Sequence, residues 1–444
     1  MQKGLSVFQI VLLAIFGAVG VGAVLIFALA TAGSGGGGTG AVKIWGTFDK
    51  NAISAVIRQA ADKDSRLLQV TYEQRDPSTY ESDLTNALAA GTGPDLFFLR
   101  SDYVMRDSDK VFIIPYANFS QSQFTNTFAD GASPYLASSG VVGVPILIDP
   151  LVMYWNRDSL AAAGIAQPPQ YWDEVPGIAQ VLTRKTDSGG IDKSAIALGE
   201  YRNIDAAKDI LAMLIMQVGG KITVRDNAGH IVPALSQNGA ASNTGSALRF
   251  YTEFTDPSKN DYSWNRSQQN ARQAFAASDV ALYIGYASEE PLIRASNPNL
   301  NFSIANVPQI RDSSNIVDTG RAYALAVPKA SKNIAGAQTV AYLIASQDVS
   351  LALSTALGIP SARRDILNAS VADTSKDVAA LQASSSTVQI IAKSANIMRS
   401  WIDPDPAQTD DVFRAMIEDT ESGAMRLEDA IQRADQQMAK ILGL

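Results

Sequence analysis

The sequence has no cysteine among its 444 residues and only one histidine, His230. The lack of cysteine excludes disulfides, thiolate nucleophiles, iron–sulfur clusters, cysteine-ligated zinc and a lipid-modified N-terminal cysteine. A single histidine leaves no histidine-based metal cluster and little scope for a Ser-His-Asp triad. We therefore expect no metal and no cofactor, and many common enzyme classes are excluded.

Positive charge is scarcer than negative charge. The chain has 36 basic and 44 acidic side chains, which gives a formal net charge of −8. Nothing in this balance attracts phosphate backbones, so nucleic acid is not an expected partner. With 46% hydrophobic residues, the chain is mostly globular and too long for one small core, which predicts two or three lobes.

One segment near the N-terminus lacks charge altogether. Residues 5–32 contain no charged side chain, and a bilayer needs about 20 apolar residues. Lys3 precedes the segment, which favours a cytoplasmic N-terminus and an extracytoplasmic body. A cleaved signal peptide is the alternative, since Ala30-Thr31-Ala32 fits its cleavage pattern, but its apolar core usually has only about 7–15 residues. We therefore predict a retained single-pass membrane anchor over residues 1–32.

A glycine-rich segment follows over residues 33–41 and predicts a flexible linker. From residue 42 onward, short apolar runs alternate with helix-length amphipathic segments, as α/β architecture requires. Strands at 42–45, 67–72 and 96–99 enclose helices at 51–62 and 80–90, which makes a βαβαβ opening. Beyond residue 150 helices are longer and strands fewer. His230 lies beside the predicted hairpin turn at 226–229, so we expect it to be exposed.

Several motifs, taken in order, resemble the sugar-binding branch of the extracellular solute-binding proteins of ATP-driven importers, which includes maltose-binding protein. They are Gly93-Pro94-Asp95, Tyr154-Trp155-Asn156-Arg157-Asp158, Trp172-Asp173-Glu174, Ala281-Leu282-Tyr283-Ile284-Gly285-Tyr286 and Ser422-Gly423. The resemblance runs from about residue 42 to residue 444.

The resemblance implies a two-lobed α/β fold of the periplasmic-binding-protein type II, in which a ligand is held between lobes that close about a hinge. It places lobe 1 at 42–148 plus 320–357 and lobe 2 at 149–319 plus 360–444. It implies a binding protein, not an enzyme, that captures a sugar or oligosaccharide and delivers it to the permease subunits of an ABC transporter. The predicted anchor would hold the protein at the cell membrane near that permease.

The resemblance also implies ligand contacts. Asp49, Lys50, Asp102 and Asp149 match positions that contact sugar hydroxyls in that branch, and carboxylates accept hydroxyl protons. Candidate aromatic residues for stacking on a sugar are Trp45, Trp264, Tyr286 and Trp401. Trp45 ends the first strand, where α/β lobes present ligand sites, and packing in the core is an equal alternative for it. Asp49 could equally cap the helix that follows this strand. Trp264 lies in a polar loop.

Two other functions stay open at this point. One is a surface-tethered glycoside hydrolase, because the acidic residues leave room for a catalytic pair. The other is a sensor domain that passes ligand occupancy to a signalling partner. The ligand is also open among a sugar, a sugar alcohol, glycerol phosphate and a short peptide, although the acidic candidates disfavour an anion.

Overall fold

The computed structural model describes residues 39–237, 240–372 and 382–444. The predicted membrane anchor and residues 33–38 of the predicted linker lie outside these ranges. Within the described ranges, no single helix has both the length and the apolar composition needed to cross a membrane. Two consecutive helices, Ile334–Ile344 and Gln347–Leu357, reach that threshold only as a pair, which is bent by 71°.

The strands are β1 (Val42–Gly46), β2 (Val70–Gln74), β3 (Leu96–Arg100), β4 (Ile114–Pro115), β5 (Gly140–Val141), β6 (Val144–Asn156), β7 (Arg184–Lys185), β8 (Ile191–Ile196), β9 (Thr223–Arg225), β10 (Ile231–Pro233), β11 (Val280–Tyr286), β12 (Phe302–Ala305) and β13 (Gly320–Ala326). The first eight helices are α1 (Lys50–Ala61), α2 (Tyr80–Ala89), α3 (Gln121–Thr127), α4 (Arg157–Ala162), α5 (Val175–Leu182), α6 (Ala207–Gln217), α7 (Ala240–Glu253) and α8 (Ala271–Ala276). The others are α9 (Glu290–Ser296), α10 (Ile334–Ile344), α11 (Gln347–Leu357), α12 (Arg364–Ala372), α13 (Gln382–Ile397), α14 (Pro406–Glu421) and α15 (Leu427–Ile441).

The first elements of the described chain form the predicted βαβαβ unit. β1 pairs in parallel with both β2 and β3. Side chains 96–99 of β3 are all buried, because both faces of the sheet in an α/β fold are covered. Gly91, just after α2, has a φ of 68°, a left-handed conformation that glycine adopts without strain at the end of a helix.

One continuous sheet joins both halves of the molecule. Its strands follow the order β2-β1-β3-β13-β6-β11-β8-β7, and β12 also pairs with β6. The first part of β6 pairs with β13, between Val144 and Pro150, and the second part pairs with β11 and β12. A single 13-residue strand therefore passes from one half of the molecule to the other.

Two hydrophobic cores lie on either side of this passage. Core 1 surrounds β1, β3, β13 and the first part of β6, and includes Phe97, Tyr135 and Ile148. Core 2 surrounds β8, β11, α6 and the second part of β6, and includes Tyr154 and Tyr283. These cores correspond to two lobes of an α/β fold.

The late part of the chain connects the cores again. Ala362 and Leu367 pack in core 1, so the lobe boundary predicted at residue 360 falls inside that core. Helix α13 contributes to both cores, with Ile391 in core 2 and Ala395 in core 1. The hairpin β9–β10 forms as predicted, and His230 beside its turn is exposed.

Candidate ligand-binding cleft

A cavity of about 550 Å³ opens between the two cores. Arg100, Asp102 and Arg321 line it from the core 1 side, and Tyr201, Lys208, Asp209, Tyr286 and Asp410 line it from the core 2 side. A smaller cavity of about 20 Å³ continues it toward Trp401, and both cavities share Asp102, Lys208, Asp209 and Arg321. The cleft is therefore polar and carries charges of both signs.

An ion pair at the end of β3 forms the core 1 wall. The Nε and Nη2 atoms of Arg100 donate hydrogen bonds of 2.6 and 2.7 Å to the two carboxylate oxygens of Asp102. A 3₁₀ turn at Ser101–Tyr103 follows β3 and brings the two side chains together. Burial raises the pKa of Asp102, but the Arg100 guanidinium outweighs it, so this pKa lies below its usual range.

Lys208, near the start of α6, is one of the charged residues on the core 2 side of the cavity. Its Nζ atom lies 3.1 Å from a carboxylate oxygen of Asp403 and 2.7 Å from one of Asp410. It also donates a hydrogen bond of 3.2 Å to Oγ1 of Thr409. Burial disfavours the ammonium form, but the two carboxylates outweigh this effect and raise the pKa of Lys208. This side chain stays charged and ties α6 to the start of α14.

Tyr286 connects the two walls from the end of β11. Its hydroxyl donates a short hydrogen bond to Asp209. The guanidinium carbon of Arg321 lies 4.0 Å from the centroid of the Tyr286 ring, a cation–π contact. Because Arg321 comes from β13 and Tyr286 from β11, this contact joins the two sides of the cleft.

Asp149 lies in β6, where that strand passes between the cores. It is only 2% exposed, and its two oxygens accept hydrogen bonds from the backbone N–H (3.0 Å) and the hydroxyl (2.6 Å) of Ser288. Burial raises the pKa of Asp149 to about 6, although the hydrogen bonds from Ser288 and the charge of Arg321 oppose this shift. Asp149 is the cross-strand neighbour of Arg321 in the β6–β13 pairing.

Trp401, between α13 and α14, is half-buried and lines the smaller cavity. One face of its indole stacks on Phe413 of core 2, with ring centroids 5.9 Å apart. It also lines two further cavities of about 750 and 480 Å³. Trp401 therefore presents an aromatic surface where the cleft meets the neighbouring grooves.

A model of the bacterial extracellular solute-binding protein family matches residues 67–348. The chain belongs to this family. The match covers more than half of the sequence and confirms the resemblance drawn from the motifs. The family consists of binding proteins, which agrees with the prediction that the chain is not an enzyme.

Curated relatives of this solute-binding protein match only in part. Binding proteins of Brucella abortus (strain 2308) and Brucella suis biovar 1 (strain 1330) are each 23% identical to it over 234 residues. These residues make up 51% of the chain and 52% of each relative. The chain thus spans about half the length of the curated relatives it matches.

Solved structures match over nearly the whole chain. An ABC transporter solute-binding protein from Thermotoga lettingae, bound with α-D-tagatose, has a TM-score of 0.66 at 23% identity and covers 91% of this chain and 100% of its own. A cyclo/maltodextrin-binding protein complexed with maltotetraose has a TM-score of 0.70 at 16% identity, covering 92% and 98%. The GacH receptor of Streptomyces glaucescens has a TM-score of 0.67 at 18% identity, covering 91% and 98%. These matches confirm the predicted two-lobed α/β fold.

The structure brings four of the predicted ligand contacts together around the cleft of this solute-binding protein. Asp102 and Tyr286 line the main cavity, and Trp401 lines its extension. Asp149 lies beside them, opposite Arg321 in the sheet. Their role in binding stays a prediction.

The two other tryptophans of the predicted site lie outside the cleft, which differs from the prediction. Trp264 is 0% exposed in core 2, and its Nε1 donates to Oδ1 of Asn203 at 3.0 Å. Trp45 is 4% exposed in core 1, beneath the guanidinium of Arg75. The sequence left Trp45 open between core and cleft and favoured the cleft for Trp264, because that ring lies in a polar loop. Both rings pack in a core and line neither cavity of the cleft.

Asp49 and Lys50 also lie outside the lining of the cleft. The Asp49 carboxylate accepts a hydrogen bond of 2.8 Å from the N–H of Ala52 and so caps α1. Lys50 is exposed, and its backbone N–H donates to the Gln74 side chain. The capping role of Asp49 explains this arrangement.

Sequence reasoning missed Arg100, Lys208, Asp209 and Arg321. A signal existed for Arg100, which ends an apolar strand two residues before Asp102. Lys208 and Asp209 are the charged residues at the start of an otherwise uncharged, largely buried helix, and charges at the end of a core helix do not by themselves indicate a ligand. Nothing local distinguishes Arg321, because its place in the cleft depends on β13 lying between β3 and β6.

Proposed function

We propose that this chain is a membrane-anchored, extracytoplasmic solute-binding protein of an ABC importer. In this proposal it binds a carbohydrate in the cleft between its cores and delivers it to the permease. The cleft carries the proposal, because both cores contribute charged side chains and an aromatic ring to one cavity of about 550 Å³. That volume lies within the range of about 300–1,000 Å³ that is common for small-molecule sites.

The chemistry of the lining suits a sugar. Carboxylates such as Asp102 and Asp209 can accept hydroxyl protons, and the rings of Tyr286 and Trp401 can cover the apolar face of a pyranose. Relatives of the same fold have structures with α-D-tagatose and with maltotetraose. Strand β6 joins the lobes as a hinge element, and lobe closure about such elements is a binding mechanism.

Anchoring and delivery belong to the same proposal. The charge-free residues 5–32 support a retained membrane helix, and the family to which the chain belongs supports an extracytoplasmic body. A tether would keep the binding protein at a high local concentration near its permease. Mass spectrometry of the protein from membranes should find Met1 or Gln2 at the N-terminus, whereas a start at Gly33 would show a cleaved signal peptide.

A thermal-shift screen followed by titration calorimetry tests the binding function. A sugar that binds only the folded state should raise the unfolding temperature. Trp401→Ala should weaken binding of that sugar about 5-fold, because an aromatic contact contributes about 1 kcal/mol. Trp155→Ala is the matched control, since Trp155 is also half-buried but lies in β6 outside the cleft lining. Hydrolysis of the sugars would instead favour the hydrolase alternative.

A further inference from the structure

Arg321 differs from every other cation in the lining of the cleft. Within the described ranges, no carboxylate oxygen lies within 4.0 Å of its guanidinium nitrogens, and its side chain donates no hydrogen bond. The other four cations, Arg100, Arg202, Lys208 and Arg414, each lie within 2.7 Å of a carboxylate oxygen. One positive charge of the cavity is therefore left without a counter-charge in contact with it.

The nearby acids are already engaged. Asp149 faces Arg321 across the β6–β13 pair, but both of its oxygens accept hydrogen bonds from Ser288. Asp209 accepts a hydrogen bond from the hydroxyl of Tyr286. The ring of Tyr286 contacts the guanidinium of Arg321, and no hydrogen bond from the N–H groups of that guanidinium is found within the described ranges.

Closure of the lobes would remove water from this guanidinium. A charged group that loses its hydration without gaining a partner is strongly unfavourable. A neutral sugar offers hydroxyl oxygens but no counter-charge. A carboxylate accepts two parallel hydrogen bonds from an arginine fork and neutralises its charge. Because only one cation in the lining lacks an acid, a singly charged group fits better than a dianionic phosphate.

We propose that the ligand of this cleft is a saccharide that carries one carboxylate group, such as a uronic acid, and that Arg321 binds that carboxylate. This inference rests on the proposed function and specifies its substrate class. The sequence disfavoured an anion because of its acidic candidates. In the structure, however, Asp102 is paired with Arg100, and Asp403 and Asp410 with Lys208. The hydroxyl groups of the same ligand would face the remaining acceptors of Asp102 and Asp209.

Calorimetry on the full chain, purified in detergent, tests this with matched ligands. The pairs are glucose with glucuronate and galactose with galacturonate, and glucose 6-phosphate is the phosphate arm. For at least one pair, the acidic member should bind about 100-fold more tightly than the neutral one, because its carboxylate gains charge-assisted hydrogen bonds from the arginine fork. Preference for the neutral members, or for glucose 6-phosphate, would overturn the inference.

Variants of Arg321 assign the effect to this residue. Arg321→Gln should abolish the preference for the acidic member, so that the ratio of the two affinities falls from about 100 to about 1. Arg321→Lys should retain part of the preference, because it keeps the charge and loses the fork. Arg311→Gln is the control, an exposed arginine that pairs with Asp173 away from the cleft. An acid preference that survives in a folded Arg321→Gln would contradict the assignment.

The outcomes separate this inference from the function on which it rests. Binding of neutral sugars alone would leave the carbohydrate-binding proposal standing and reject the acidic ligand. Binding of no saccharide in any pair would reject the carbohydrate-binding proposal and this inference with it. The comparison of ligand pairs needs only the wild-type chain, so it stays decisive even where a variant fails to fold.

Discussion

The ends of β1 and β3 lie side by side in the same parallel sheet, yet their surroundings differ. After β1 the chain enters α1 at once, and Asp49 uses its carboxylate to cap that helix. After β3 a 3₁₀ turn holds Asp102 against Arg100. In the sheet, β3 neighbours β13 and β1 does not. Ligand sites do occur at such strand ends, but here proximity to the strands that cross between the cores decides which end lines the cleft.

Removal of the Trp45 ring should have the largest effect on stability at the β1 end. Trp45→Ala leaves a cavity in core 1 and should lower the free energy of unfolding by about 3–5 kcal/mol, as measured by denaturant titration. Trp45→Phe is the control. It removes a buried Nε1 that has no hydrogen-bond partner among the described residues and should cost less than about 1.5 kcal/mol. Ligand affinity should stay the same in both, and a loss of affinity in Trp45→Phe would restore the β1 end to the site.

Asp149 should make stability depend on pH at the crossing strands. Its pKa is raised from 3.8 to about 6, so the fold favours its protonated form. The fold loses this contribution as pH rises from about 4 through about 6, and the loss amounts to about 3 kcal/mol. In Asp149→Asn the free energy of unfolding should therefore fall less between about pH 4 and about pH 7 than in the wild type. Parallel pH profiles would contradict this, and the exposed Asp348→Asn serves as control.

Breaking the ion pair at the β3 end should have an intermediate effect. Asp102→Asn leaves the Arg100 guanidinium without its counter-charge and should cost about 1–3 kcal/mol, because both side chains are only partly exposed. Combining Asp102→Asn with Arg100→Gln should recover part of the lost free energy of unfolding. A double-mutant cycle measures the coupling between the two side chains. Additive losses would mean that the pair contributes nothing to stability.

The smallest effect should come from the cap at the β1 end. Asp49→Ala removes the acceptor for the Ala52 N–H and should lower the free energy of unfolding by about 1 kcal/mol. Lys50→Ala changes an exposed side chain and should stay within about 0.5 kcal/mol. Neither change should alter ligand affinity, so a clear loss of binding in either would show that the β1 end reaches the ligand.

Local patterns in the sequence predicted the βαβαβ opening and the hairpin near His230. The order of the motifs along the chain indicated the family. The family resemblance implied Asp102, Tyr286 and Trp401 as ligand contacts, and these residues line the cleft. Local patterns could not distinguish Trp264 from Trp401, because whether a ring is buried depends on helices and strands distant in sequence. Arg321 was missed for the same reason, since only the sheet order places it opposite Asp149 and over Tyr286.

The position of β13 between β3 and β6 also has a consequence for biosynthesis. Residues 157–319 separate β6 from β13 in the chain. Because the ribosome synthesises the N-terminus first, β3 and β6 leave it long before β13, the strand that pairs with both, has been made. Unpaired strand edges of this kind are prone to aggregate, and such distant pairings form slowly. Core 1 can close only after core 2 has largely been synthesised. Chains that end before residue 320 should therefore be substrates for chaperones and proteases rather than functional fragments.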